Sequence, residues 1–236
     1  MKEEFVLKNT TERKEPFRLG FVGSDNAGCQ FVQKCREAIM EQHQRLVDFD
    51  EFSNRQISSE PAKDCFCIVA AIGTETTAEQ LSAIFSASSS CDWKILVVPQ
   101  KAWTASKSDA WHKVADTVLV VDSVDVGAVN FCTVLSTAFL PGLIGIDYED
   151  FRTTLSDATA TGYLLHAEAA HLDAAVESRV KQPEAVKFKQ ARRAAFAVRC
   201  GMDMAMLDVS KAIKILEDTL PDTANAILGA VPLKGM

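Results

Sequence analysis

The chain has 236 residues, 47% hydrophobic and 24% charged, with a formal net charge of −7. That length fits one large domain or two small ones, and the apolar content supports a full core rather than disorder. The acidic balance argues against a nucleic-acid partner, because such binding rests mainly on neutralising phosphates. It argues likewise against anionic membranes. No apolar stretch reaches the roughly 18 residues of a spanning helix. Met1 to Pro16 is a polar tail carrying a small apolar patch at Phe5-Val6-Leu7, without a signal core. A cytoplasmic protein with no membrane span is the expectation.

Beyond the tail, apolar runs and helical patterns alternate. Arg18 to Val22 reads as a strand, and Asn26 to Gln44 as a helix with Phe31, Cys35, Ala38 and Ile39 at helical spacing. Arg45 to Phe49 reads as a short strand and Ser53 to Lys63 as polar loop. Cys65 to Ile72 is a continuous apolar run of the kind buried on both faces of a parallel sheet. Thr77 to Ser88 is helical, Lys94 to Val98 and Thr117 to Val121 are strands around a helical stretch from Trp103 to Val114, and Val126 to Leu140 is a helix. This order predicts an α/β fold with a Rossmann-like, doubly wound parallel sheet. Pro141-Gly142 interrupts the pattern, and a short helix follows into Leu155. Strands at Thr161 to His166, Arg193 to Arg199 and Ala224 to Val231, with helices at Ala169 to Arg179 and Val209 to Leu216, predict a smaller mixed α/β unit. The expected organisation is a tail over 1–16, a nucleotide-binding-like domain over 17–123, a connecting helix and loop over 124–146, and a C-terminal α/β domain over 147–236.

Two strand-to-helix turns hold the chemistry. Gly23-Ser24-Asp25-Asn26-Ala27-Gly28 follows the first strand, and Gly73-Thr74-Glu75-Thr76-Thr77 follows the Cys65 to Ile72 run. Glycine turns before helices bind phosphate through bare backbone N–H groups. Here Asp25 and Glu75 place carboxylates where such a turn needs backbone. Two unit charges about 4 Å apart repel by about 4 kcal/mol at an effective dielectric of about 20, roughly several hundredfold in affinity. A magnesium ion bridging either acid to phosphate would rescue binding. The structural alternative is that both acids face solvent and cap helices: Asp25 or Asn26 the first, Thr76 or Thr77 the second.

The cysteines number seven, an odd count in apolar settings that suggests reduced thiols. Cys65 and Cys67 share a strand face but lack the further ligands of a metal site, so no metal is expected there. His166 and His171 around Glu168 have no standard ligand spacing. Arg179, Lys181, Lys187, Lys189, Arg192 and Arg193 form a basic run, read as a patch for an acidic partner or as a solvated loop flank. Trp93, Trp103 and Trp111 are expected to pack.

Four stretches together resemble the FtsZ/tubulin family over about residues 17–231. Val22 to Cys29 is similar to the family's first phosphate loop, Val-Gly-Cys-Gly-Gly-Ala-Gly-Asn. Ala70-Ala71-Ile72-Gly73 into Thr77 stands where the family has Gly-Gly-Gly-Thr-Gly-Thr-Gly. Pro141-Gly142-Leu143-Ile144-Gly145-Ile146-Asp147-Tyr148-Glu149-Asp150-Phe151 resembles its synergy loop, and Met202 to Val209 and Asp222 to Val231 resemble its late helix and strand. The resemblance implies GTP or GDP with magnesium at the two turns. It also implies that Asp147 and Asp150 activate water against the nucleotide of a neighbouring subunit, and that the partner is another FtsZ-like subunit, self or a normal FtsZ. The chain departs from the pattern. One glycine remains in the second turn, Gly145 replaces the synergy-loop Asn, and the segment before Cys65 and the helix start at Val124 to Gly127 are short. Asp147 serves equally as the cap of a helix starting at Tyr148. The expectation is an assembly or regulatory protein with a degenerate GTP site and no required cofactor. The alternatives are a working GTPase hydrolysing GTP at a subunit interface and an unrelated small-molecule-binding domain.

Overall fold

The computed structural model describes residues 18–43, 48–53, 67–139, 144–157, 160–165, 167, 169–182, 186–201 and 204–233. It divides into two compact units, the first ending at Cys132 with a short return at Thr161, the second holding Thr133–Asp157 and the chain from Gly162.

The first unit is a parallel sheet wrapped by helices. Its strands are β1 (Arg18–Gly23), β2 (Asp48–Ser53), β3 (Cys67–Ala71), β4 (Trp93–Pro99) and β5 (Thr117–Val121), in the order β2-β1-β3-β4-β5. Thr161, which opens β6 (Thr161–Tyr163), continues the sheet beyond β5. Register is parallel from β2 through β5, with Leu19 opposite Phe49 and Cys67, Cys67 opposite Trp93, and Ile95 opposite Thr117. Every residue of β3 and β5 is buried, which is why they read as unbroken apolar runs. The helices are α1 (Asn26–His43), α2 (Ala78–Ala87), α3 (Ala105–His112) and α4 (Val124–Phe139).

Alternation along the strands sends side chains to two cores. Ile68, Ala70, Ile72, Leu96, Val98 and Val118 pack with Leu81, Ile84 and Phe85 of α2 and Trp111 of α3. On the opposite face the α1 side chains Phe31, Val32 and Cys35 are buried, and the Phe31 and Phe131 rings meet at 5.9 Å. Gly127 of α4 lies against Val121, where an added Cβ would stand 2.7 Å from that side chain. Buried Trp93 donates its indole N–H to Thr117 Oγ1 at 2.9 Å. Trp111 is buried and Trp103 packs against the first core, so the tryptophans are packing residues.

The second unit takes the end of α4, then α5 (Tyr148–Leu155), α6 (Leu172–Val180), α7 (Val186–Lys189), α8 (Met206–Glu217) and the parallel pair β7 (Arg193–Gly201) and β8 (Asn225–Leu233). Tyr148 and Phe151 anchor α5, and Val209, Ala212 and Leu216 are the buried stripe of α8. Gly229 is required by close approach: a Cβ there would stand 2.4 Å from the Cβ of Thr137. Among the described residues no helix is long and apolar enough to cross a membrane.

Several sequence expectations are corrected. The strand placed at Arg45 to Phe49 is β2, starting at Asp48; residues 45–47 lie outside the described set. Its sequence Asp-Phe-Asp-Glu-Phe-Ser hides it, because edge strands carry charges that central strands exclude. The basic run is largely a solvated flank, with Lys181, Lys189, Arg192 and Arg193 exposed, but it is not all loop and several members are engaged. Val186–Lys189 is helical, Lys187 lies 3.7 Å from the Tyr163 ring centroid, and Arg192 pairs with Asp157 at 2.9 Å. Arg193 donates to the carbonyls of Thr153 and Ser156 at 3.0 and 2.5 Å, and the mostly buried Arg179 donates to Gln182. Cys91 is disulfide-bonded, against the expectation of thiols throughout; an odd cysteine count excludes complete pairing but not one bridge. Cys67 and Cys200 are thiols, and burial pushes both upward in pKa. Cys65, His166 and Glu168 lie outside the described residues, as do Pro141, Gly142 and Leu143.

Candidate functional site

The two glycine turns meet at the C-terminal ends of β1 and β3, the edge where parallel sheets receive ligands. Ser24 N–H donates to Ala71 O at 3.1 Å and Gly28 packs on the same carbonyl, where an added Cβ would stand 2.1 Å away. Gly23 is equally confined, with Cys29 N at 2.4 Å from its hypothetical Cβ. These glycines let the β1–α1 turn sit directly on β3.

Asp25 joins the turns. It stands at the N-cap of α1: its carbonyl accepts from Cys29 N–H at 2.8 Å and its Oδ1 accepts from Gly28 N–H at 2.9 Å. Its Oδ2 reaches the second turn, accepting from Gly73 N–H at 2.8 Å and from the Thr76 hydroxyl at 3.0 Å. Ser24 and Thr76 are buried, their hydroxyls bond one another, and the Ser24 hydroxyl also reaches Ala71 O at 3.4 Å. A Cβ on Gly73 would lie 2.6 Å from Asp25 Oδ2. The bare backbone of Gly73 is therefore used, and the carboxylate of Asp25 uses it.

The two acids have different roles. The expectation that both face solvent holds for Glu75, which is exposed beside exposed Thr74. It fails for half-buried Asp25, which caps α1 and turns inward because donors from the second turn converge on it. The α2 cap is Thr77. Its hydroxyl accepts from Gln80 N–H at 3.3 Å, and Gln80 Oε1 accepts from Thr77 N–H at 2.9 Å, a reciprocal capping box. In the first turn of α2, the Glu79 carboxyl is held below its usual range by its own backbone N–H and then by the Thr77 side chain. Beside this turn a cavity of about 330 Å³ is lined by Glu75, Thr77, Lys107 and Trp111 among others. Asn26 is exposed and Ala27 half-buried at the start of α1. Sequence reasoning named every residue of the two turns but missed Gln80; its Thr-x-x-Gln spacing was the available signal.

Asp147 and Asp150 lie in the second unit. Asp147 caps α5, its Oδ1 accepting from Glu149 N–H at 2.8 Å, so the capping expectation holds. Asp150 is exposed in the first turn of the same helix. Exposed Gly145 has nothing within 4 Å of a hypothetical Cβ, so a side chain there meets no obstacle. Among the described residues no three His, Cys, Asp or Glu side chains gather where they would hold a metal ion.

No sequence-family profile matches the chain. Over 97 residues it is 32% identical to the cell division protein FtsZ of two Caulobacter vibrioides strains, a stretch covering 39% of this chain and 19% of that protein. The chain thus spans well under two thirds of those curated relatives. Two solved M. jannaschii structures superpose much more widely, each at 12% identity. One is the FtsZ W319Y mutant, with a TM-score of 0.67 over 94% of this chain and 87% of that one. The other is an empty FtsZ dimer, with a TM-score of 0.68 over 95% and 86%. The chain has an FtsZ/tubulin-like fold.

Proposed function

We propose that this chain is an FtsZ/tubulin-like protein of the division cytoskeleton whose GTP site is degenerate, and that it acts as an assembly or regulatory partner rather than a GTPase. The carrying observation is the Asp25 carboxylate seated on the N–H groups of Gly28 and Gly73. Those are the donors that the resemblance assigns to nucleotide phosphate, so Gly23 to Gly28 and Gly73 to Thr76 do not fit GTP or GDP with magnesium as they stand. A phosphate entering this nest meets a carboxylate at hydrogen-bonding range of its own donors, a repulsion of about 4 kcal/mol per close contact. No cofactor is required on this reading.

The partner is another FtsZ-like subunit, in keeping with the dimer named for one structural neighbour. Like charges oppose self-stacking: Glu75 is exposed, and so are Asp147 and Asp150, the acids that the resemblance places against a neighbour's nucleotide. On a normal FtsZ subunit carrying GTP, a magnesium ion between the phosphates and these acids would offset that conflict, which favours capping or regulation over self-polymerisation. Calorimetry with GTP and GDP, with and without magnesium, tests the site. Absence of binding to about 100 μM supports the reading, and micromolar binding with turnover overturns it. Light scattering of the pure chain tests assembly, and robust filament formation with GTP and magnesium overturns that part. The second reading, a working GTPase using Asp147 and Asp150, is favoured only by the exposure of both acids on α5. Its test is loss of hydrolysis in Asp150→Ala.

A further inference from the structure

We propose that Asp25 is a resident anion: its carboxylate fills a preformed oxyanion nest and clasps the two turns together with no ligand bound. The inference rests on the reading that the wild-type chain does not seat nucleotide phosphate, and adds what the nest accepts once the carboxylate is gone.

Three donors from two turns converge on this one group: Gly28 N–H at 2.9 Å, Gly73 N–H at 2.8 Å and the Thr76 hydroxyl at 3.0 Å. Two belong to the β3–α2 turn, so the site is more than the end of α1. The donors are also held in place from behind. Gly28 is pressed against Ala71 O, Ser24 N–H is bonded to the same carbonyl, and the buried Ser24 hydroxyl lies against the Thr76 hydroxyl that donates to Asp25. The carboxylate occupies the space directly over Gly73, where even a Cβ would collide with both of its oxygens, at 2.6 and 2.7 Å. This is the close approach that glycine provides for an anion, taken by a side chain.

Shortening Asp25 to glycine empties that space but leaves the backbone donors and Thr76 anchored by β3. The nest then takes a small oxyanion, planar like formate or tetrahedral like inorganic phosphate. Asn at the same position keeps the side-chain volume, blocks the space and turns an NH2 group toward donors. The test compares the full-length wild type, Asp25→Gly and Asp25→Asn by thermal unfolding in sodium chloride, sodium formate and sodium phosphate at matched ionic strength. Amide resonances of Gly28 and Gly73 are followed in the same titrations. In chloride, Asp25→Gly melts roughly 5–10 °C below wild type, corresponding to a few lost charge-assisted hydrogen bonds. Formate and phosphate restore most of that shift saturably, with midpoints on the order of millimolar, and move both glycine amides. Wild type and Asp25→Asn respond to neither anion beyond chloride. Equal stabilisation of all three chains, or no rescue of Asp25→Gly, overturns the proposal. So does an Asp25→Gly chain that stays unfolded in high formate and phosphate. GTP calorimetry on the wild type separates the failures: nucleotide binding there defeats the functional reading, whereas a silent wild type with an unrescued Asp25→Gly defeats only this inference.

Discussion

Gly28→Ala sets two effects of opposite sign against each other. Gly28 is the third residue of α1, and alanine at a helix position ordinarily stabilises by about 0.5–1 kcal/mol over glycine. Here the new Cβ would lie 2.1 Å from Ala71 O and 2.9 Å from Ala71 C. Ordinary C···O contacts begin at roughly 3.3 Å. The obstacle is strand backbone, so relief requires α1 to lift off β3. Overpacking of this kind costs about 1–3 kcal/mol. Lifting the turn also stretches the cross-turn Gly73 hydrogen bond to Asp25, worth about 1.5–3 kcal/mol when the acceptor is charged. A net loss of about 2–4 kcal/mol is expected, a fall in Tm of roughly 5–15 °C for a chain of this length. Urea unfolding followed by tryptophan fluorescence, with calorimetry, measures it. Gly145→Ala is the control, expected within about 0.5 kcal/mol of wild type. A Gly28→Ala chain as stable as wild type, or more stable, refutes the steric reading of this turn and leaves helix propensity in charge.

Other substitutions probe separate links. Thr117→Val removes the acceptor of the buried Trp93 indole and should destabilise by about 1–3 kcal/mol in urea, with a shifted tryptophan emission. Asp147→Ala loses the α5 cap and should cost about 1 kcal/mol. Asp150→Ala should leave stability within about 0.5 kcal/mol, and neither variant should alter phosphate release from GTP. The depressed Glu79 carboxyl contributes stability above its unfolded value, and that contribution is lost as pH falls through the folded value. Unfolding midpoints measured below about pH 4.5 should fall less steeply in Glu79→Gln than in wild type.

The central strands were legible because burial on both faces leaves only apolar residues: Thr117 to Val121 is β5 as read, and β4 extends one residue beyond each predicted end. β2 was misplaced because its edge position tolerates Asp48, Asp50 and Glu51, and α7 is too short for helical periodicity to register. Both glycine turns could be located by their position between strand and helix. What sequence could not supply was the direction of the Asp25 side chain. Its contact with Gly73 spans 48 residues and depends on how closely Gly28 lets α1 approach Ala71. A local reading sees a cap; only the folded turns reveal a clasp.

The parallel pairing of β1 to β5 also governs how the chain must be born. None of these five described strands zips to a sequence neighbour through a tight hairpin, and β1 stays half-partnered until Cys67 arrives opposite Leu19. At translation rates of about 5–20 residues per second, that wait lasts on the order of several seconds, with an apolar strand edge open at the ribosome. Slow, non-local closure of this kind makes nascent yield sensitive to translation speed and to chaperone supply.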